Sequence, residues 1–106
     1  MVDGIIEISY SDQESFFPRP KHKYDAEAIM VIDDKIALFS KDRETLNTDL
    51  YLVDKYQNGQ QILTSKFNYK VGSLITGGDY NKEKSLLALV SYNSKGEQYL
   101  ILFENF

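Results

Sequence analysis

The stretch IALFSKD, Ile36 to Asp42, decides how this chain is read, because LALVSYN, Leu87 to Asn93, answers it position by position in residue class 51 residues later. A second pair follows the same rule: LYLVDKY at Leu50 to Tyr56 returns as LILFENF at Leu100 to Phe106, 50 residues on. Each phrase is a short apolar run bounded by polar residues, the pattern of a strand rather than of a helix. A phrase written twice at a fixed spacing of this size signals a repeated supersecondary unit.

Working outward, strand signals cover the whole chain. Ile5 to Tyr10 is a short β-rich run. Ala28 to Ile32 and Ile36 to Ser40 flank a tight corner at Asp33-Asp34-Lys35, and Leu50 to Val53 follows the polar loop RETLNT. Asn58-Gly59 then precedes Gln61 to Tyr69 and predicts a hairpin, since both residues tolerate the positive φ of a type I′ turn. The second half runs Ser73 to Tyr80, a corner at NKEK, Leu86 to Tyr92, a turn at Asn93-Ser94-Lys95-Gly96, and Tyr99 to Phe103. No window sustains a 3.6-residue apolar period, so the predicted fold class is all-β. Eight Tyr and six Phe with no Trp agree with half-buried pleated surfaces.

AIMVI and IALFS are nearly continuous apolar runs, which predicts burial on both faces, whereas ILTSKFNY alternates with polar residues. An inner-to-outer gradient of this kind over about 50 residues and four antiparallel strands matches a β-propeller blade, near the kelch period and longer than that of WD40. With the strands of a blade lettered A to D, the chain reads D-A-B-C-D-A-B-C: residues 1–23 an outer strand and a Pro/Lys linker, 24–69 a first blade-like repeat, 70–106 a second lacking its outer strand, all within one unit. Two blades cannot close a ring that takes about 4–8. The expected partners are therefore further blades of a longer chain or other copies of this one, three copies making six blades with each Ile5–Tyr10 strand on a neighbour's Leu100–Phe103 edge.

Twelve basic and sixteen acidic residues leave a net charge of −4, which argues against a phosphate-backbone binder. No cysteine means neither disulfides nor zinc thiolates. The leading MVDGIIEISYSDQE has an acid where a signal peptide carries its basic region, and no window approaches a membrane span.

Asp25 and Glu27 stand two apart on a predicted strand and so project from one face. With Asp79, expected at a similar place in the second repeat, they are the candidate ligand or metal residues. Calcium is the candidate ion, although its 6–8 oxygen ligands exceed what one carboxylate pair supplies; otherwise no cofactor is expected. Local hydrogen bonding at the start of the blade is the competing role. Gly77-Gly78 reads as close backbone approach rather than a phosphate loop, which needs a following helix. Arg19, Lys21, His22 and Lys23 offer anion contact, against the simpler role of a solvated linker stiffened by Pro18 and Pro20. No nucleophile, base and orienting acid are spaced to identify a triad, and no catalytic residue is assigned.

The string YDAEAIMVIDDKIALFSKDR, followed by a Thr-x-Leu-Tyr strand and LITGGDYN, resembles uncharacterised β-propeller proteins of Bacteroidota, many of them secreted or lipid-anchored. Their blades open on D-x-E-A, continue with an aromatic-Ser/Thr-Lys strand and pass to the next blade through I-T-G-A-D-Y. The likeness spans Tyr24 to Asn93. D-x-E-[AG]-[IL] is also similar to the first-strand motif of esterase-like and regulator-associated propellers, whose acids lie near a central channel. The resemblance implies a propeller fold and an extracytoplasmic location; it implies no reaction, since one such fold hosts many functions.

The expected role is accordingly a non-enzymatic, structural or binding propeller segment. Two other roles are weighed: a channel-facing acidic site that holds a divalent cation and turns hydrolytic in a closed ring, and partner binding by strand addition at an exposed sheet edge.

Overall fold

The computed structural model describes residues 4–13, 23–57 and 59–106. Its described residues form nine strands and no helix: β1 (Ile6–Tyr10), β2 (Asp25–Ile32), β3 (Lys35–Lys41), β4 (Thr48–Asp54), β5 (Gly59–Leu63), β6 (Phe67–Tyr69), β7 (Leu74–Asn81), β8 (Leu86–Tyr92) and β9 (Gln98–Phe103). The protein is all-β, and the strands fall where the apolar runs predict them.

They assemble into three open sheets: a four-stranded sheet β2-β3-β4-β6, a three-stranded sheet β7-β8-β9, and a pair β1-β5. The first two are antiparallel throughout, while β1 and β5 run parallel. None closes on itself, and neither two four-stranded sheets nor a ring layout is present among the described residues.

Short corners set the antiparallel connections. Asp33 adopts a φ of 55° between β2 and β3, a left-handed conformation that Asp tolerates through local hydrogen bonding. Between β8 and β9 the Asn93 side chain accepts the N–H groups of Lys95 and Glu97, and Gly96 supplies a φ of 79°.

The four-stranded sheet lies in the middle. On one face Ala28, Met30, Ala37, Phe39 and Leu50 pack against Ile75, Leu87 and Leu89 of the three-stranded sheet. On the other, Leu38, Tyr51 and Val53 are covered by Leu63 of β5 with Ile6 and Tyr10 of β1. Thus β3 is buried on both faces, as its continuous apolar run predicts, and β2 is not. Ile29 and Val31 remain exposed because the β1-β5 pair stops short of β2. The expectation for AIMVI is corrected accordingly.

Three further expectations change. Gln61–Tyr69 is not one outer strand: its second part, β6, pairs with β4, whereas its first part leaves that sheet and pairs with β1. The β4–β5 hairpin predicted from Asn58-Gly59 therefore does not form, and Asn58 itself lies outside the described residues. The physical reason is the Gln61 side chain. Its Oε1 accepts the Asp54 N–H at 3.1 Å and its Nε2 donates to the Asp54 carbonyl at 2.9 Å, occupying the backbone groups that a ladder partner would use. Nor is Ile5–Tyr10 left without a partner for a neighbouring copy to supply; β1 is paired within its own chain.

Between the two larger sheets, β2 packs chiefly against β7. A Cβ placed at Gly78 would stand 2.5 Å from Leu89 Cδ2 and 2.7 Å from the Ala88 carbonyl oxygen, both on neighbouring β8, and 3.1 Å from Met30 Cε across the sheets. At Gly77 the nearest atom would be Val90 Cγ2 at 3.4 Å, an ordinary contact. Gly78→Ala should then destabilise by about 1–3 kcal/mol through overpacking, with Gly77→Ala staying within about 0.5 kcal/mol of the parent; urea unfolding of both variants checks the contrast.

Burial raises the pKa of the Tyr51 phenol, and burial together with the Asp25 charge raises that of Tyr10. A folded-state pKa above the unfolded one means that the stabilisation is complete below about pH 10 and is lost as pH rises past it. Melting temperature should fall steeply above that pH in the parent and less steeply in Tyr51→Phe, read by circular dichroism.

Candidate functional site

The acids that open β2 are placed by the β2–β3 hairpin. Antiparallel return brings the basic end of β3 back beside them, with Asp25 opposite Lys41 in the register. Asp25 Oδ2 lies 4.0 Å from Arg43 Nη1, and Glu27 Oε1 lies 3.9 Å from Lys41 Nζ. The Lys41 ammonium, on a side chain that is 10% exposed, also sits 5.0 Å from the centroid of the Tyr92 ring, a cation–π contact that ties the middle sheet to the three-stranded one. Two carboxylates thus meet two cations.

A β-bulge alters the aim of the pair. The register shifts between Ala26 and Ala28, so Glu27 has no direct partner on β3 and the simple alternation that would align it with Asp25 is interrupted. Asp79 does not join them. It lies opposite Ala88 on β7, and its Oδ1 accepts the N–H of Tyr80 at 2.9 Å. Among the described residues no group of three or more His, Cys, Asp or Glu side chains is arranged to hold a metal ion.

Of the basic linker, Lys23 is described, and its Nζ donates to Asp12 Oδ2 at 2.6 Å. That bond holds the Asp12 carboxyl below its usual range and raises the Lys23 ammonium. Arg19, Lys21 and His22 lie outside the described residues.

Two carboxylates that sequence reasoning passed over are the buried ones. Asp42 Oδ1 accepts the N–H groups of Glu44 and Thr45, and its Oδ2 accepts the Thr45 hydroxyl. Asp49 Oδ1 accepts from Ser65 Oγ and Asn68 Nδ2. Both are structural: the first folds the β3–β4 loop, the second fastens β6 and the segment before it to β4. The Asp-x-x-Thr spacing of residues 42–45 was the available signal, since Asp favours such local turns.

Also unforeseen was the aromatic cluster that closes the far side of the stack. Tyr69 stands 5.0 Å from Phe103 and 6.5 Å from Phe106, which in turn lies 6.4 Å from Phe39 and 6.1 Å from Tyr80. An open groove of about 520 Å³ runs along the three-stranded sheet between Thr76, Val90, Tyr92 and Tyr99. Its lining of hydroxyls, the Gln98 amide and apolar groups holds none of the candidate carboxylates.

Comparison of the chain with family models, with curated proteins and with solved structures finds no match. Two ion pairs at 3.9 and 4.0 Å neutralise the carboxylates, and pairs of this exposure each contribute about 0–1 kcal/mol. Glu27→Gln, which leaves the largely buried Lys41 without its acid, should lower stability by about 1 kcal/mol, more than Asp25→Asn does. Neither should change the response to calcium; a calcium-dependent rise in melting temperature lost in the double variant would restore the cation reading.

Proposed function

We propose that the chain is a non-enzymatic segment of β-propeller type, two copies of one blade-like unit whose role is structural or binding. The observation that carries this reading is the register. In the middle sheet Ala28 faces Phe39 and Phe39 faces Leu50; in the three-stranded sheet Gly77 faces Val90 and Val90 faces Leu100. Each set maps on the other by constant spacings, over all seven pairs of β2-β3 and β7-β8 and over four pairs of β3-β4 and β8-β9: 49 residues from β2 to β7, 51 from β3 to β8 and 50 from β4 to β9. Even the bulge recurs, between Ala26 and Ala28 in one and between Ile75 and Gly77 in the other. Unrelated hairpins have no reason to share a bulge, because one extra residue flips every side chain beyond it.

The mapping reassigns one residue. Asp79 is the counterpart of Met30, and the counterpart of Asp25 is Leu74, so the acids of β2 have no equivalents on β7. That supports a positioning role for Asp25 and Glu27 in the first unit rather than a shared acidic channel. The likeness to Bacteroidota propellers, and with it an extracytoplasmic home, rests on the motifs of Tyr24 to Asn93. A second reading, partner binding by strand addition, is favoured by the outer edge of β9, which has no ladder partner among the described residues.

Backbone nuclear Overhauser contacts test the repeat. Phe39–Leu50 should be matched by Val90–Leu100, and Ala28–Phe39 by Gly77–Val90. An offset of one residue in either sheet, or a bulge in one alone, contradicts it.

A further inference from the structure

The three-stranded sheet has an outer face that no strand among the described residues covers. It is formed by Ala88 and Val90 of β8 and Leu100 and Leu102 of β9, with Val90 46%, Leu100 64% and Leu102 54% exposed. By the register these four are the counterparts of Ala37, Phe39, Leu50 and Leu52, the middle-sheet residues on which the three-stranded sheet itself packs. The uncovered face thus repeats a face that is buried under a sheet within the same chain.

The other end of the stack shows the converse. Ile29 and Val31 of β2 are 65% and 58% exposed. Their counterparts are Gly78 and Tyr80, which sit on the side of β7 turned to the middle sheet. At β2 the two open ends therefore correspond to the two sides of the β2–β7 part of a contact that the chain already makes internally. Resting on the repeat proposed above, the geometry points to a second copy of this chain as the occupant: the outer face of β7-β8-β9 in one copy receives the β2 side of the middle sheet of the next, head to tail.

Details of the two ends agree with this pairing. Internal stacking is led by β2 against β7, and β2 is the strand that the β1-β5 pair leaves bare; Leu38, Tyr51 and Val53, the counterparts of Leu89, Ile101 and Phe103, stay under that pair, so the contact between copies is confined to the β2 side. The corners carry opposite charge. Asp33 and Asp34 end β2, whereas Lys82 and Lys84, flanking Glu83, end β7, and within the chain Asp33 Oδ1 and Lys82 Nζ already stand 3.8 Å apart. Asp79, at the position of Met30, puts a carboxylate where the internal contact has a thioether, which makes the contact between copies weaker than the internal one. A heterologous contact of this kind extends into rings or open arrays, not into a two-fold dimer.

The test uses two variants of the full chain. Val90→Glu with Leu100→Lys charges the outer face; Ile29→Lys with Val31→Glu charges the β2 side; the single changes Leu100→Lys and Ile29→Lys serve as milder versions if either double variant melts early. Light scattering across a concentration series should show the parent at multiples of 12.2 kDa, each variant alone as a monomer, and an equimolar mixture as a one-to-one dimer with nothing larger, since one good face remains on each partner. A monomeric parent with its registers intact overturns the contact and leaves the repeat standing. Variants that assemble as the parent does also overturn it and shift attention to the β9 edge. An outer-face variant that is monomeric while the β2 variant still dimerises overturns it in favour of an outer-face-to-outer-face dimer.

Discussion

Stacking of the two larger sheets depends on the missing side chain at Gly78. A Cβ there would stand 3.1 Å from the Met30 methyl of β2 across the sheets and 2.7 Å from the Ala88 carbonyl of β8 beside it, so a side chain could escape neither sideways nor toward β2. With β7 held at that distance, Ile75, Leu87 and Leu89 reach Ala28, Ala37 and Phe39 and are sealed from water. Were β7 pushed away, every one of those contacts would lengthen together, because dispersion falls steeply across even a small gap. The aromatic cluster around Phe106 can close only the far side of a stack whose near side is already tight.

From that constraint comes the asymmetry of the molecule. One face of the middle sheet is covered by a three-stranded sheet, the other by a two-stranded parallel pair too narrow to reach β2. The three-stranded sheet keeps its own outer face open. The described residues thus leave two bare apolar ends around a satisfied middle, and the charged groups named above are taken up in local contacts. Asp25, Glu27, Lys41 and Arg43 neutralise one another, while Asp42 and Asp49 spend their oxygens on the loops beside them.

Strand positions were legible because apolar runs, Gly and Asp corners are local signals, and the internal echo was legible because residue class repeats along the chain. Pairing partners were harder. A run such as AIMVI says that burial on both faces is affordable to its residues, but not whether a second layer arrives to cover Ile29 and Val31. The parallel β1-β5 pair joins residues more than fifty apart and leaves no local mark, and the Gln61 amide that displaces the expected hairpin acts through a side chain that no turn rule weighs. At the acidic site, the D-x-E spacing was visible, and so in principle were its cations: folding the sequence back at Asp33-Asp34 lays Lys41 and Arg43 beside the acids. The bulge at Glu27, which breaks the same-face geometry, was not.

The central claim is the close approach of β2 and β7, and one contact reports it directly. With methyl-labelled methionine only Met1 and Met30 give signals, so the Met30 ε-methyl is easily assigned. The account predicts a strong nuclear Overhauser cross-peak from that methyl to the Gly78 α-protons. A Met30 methyl at its solvent-exposed shift, with no cross-peak to any β7 residue, would contradict it.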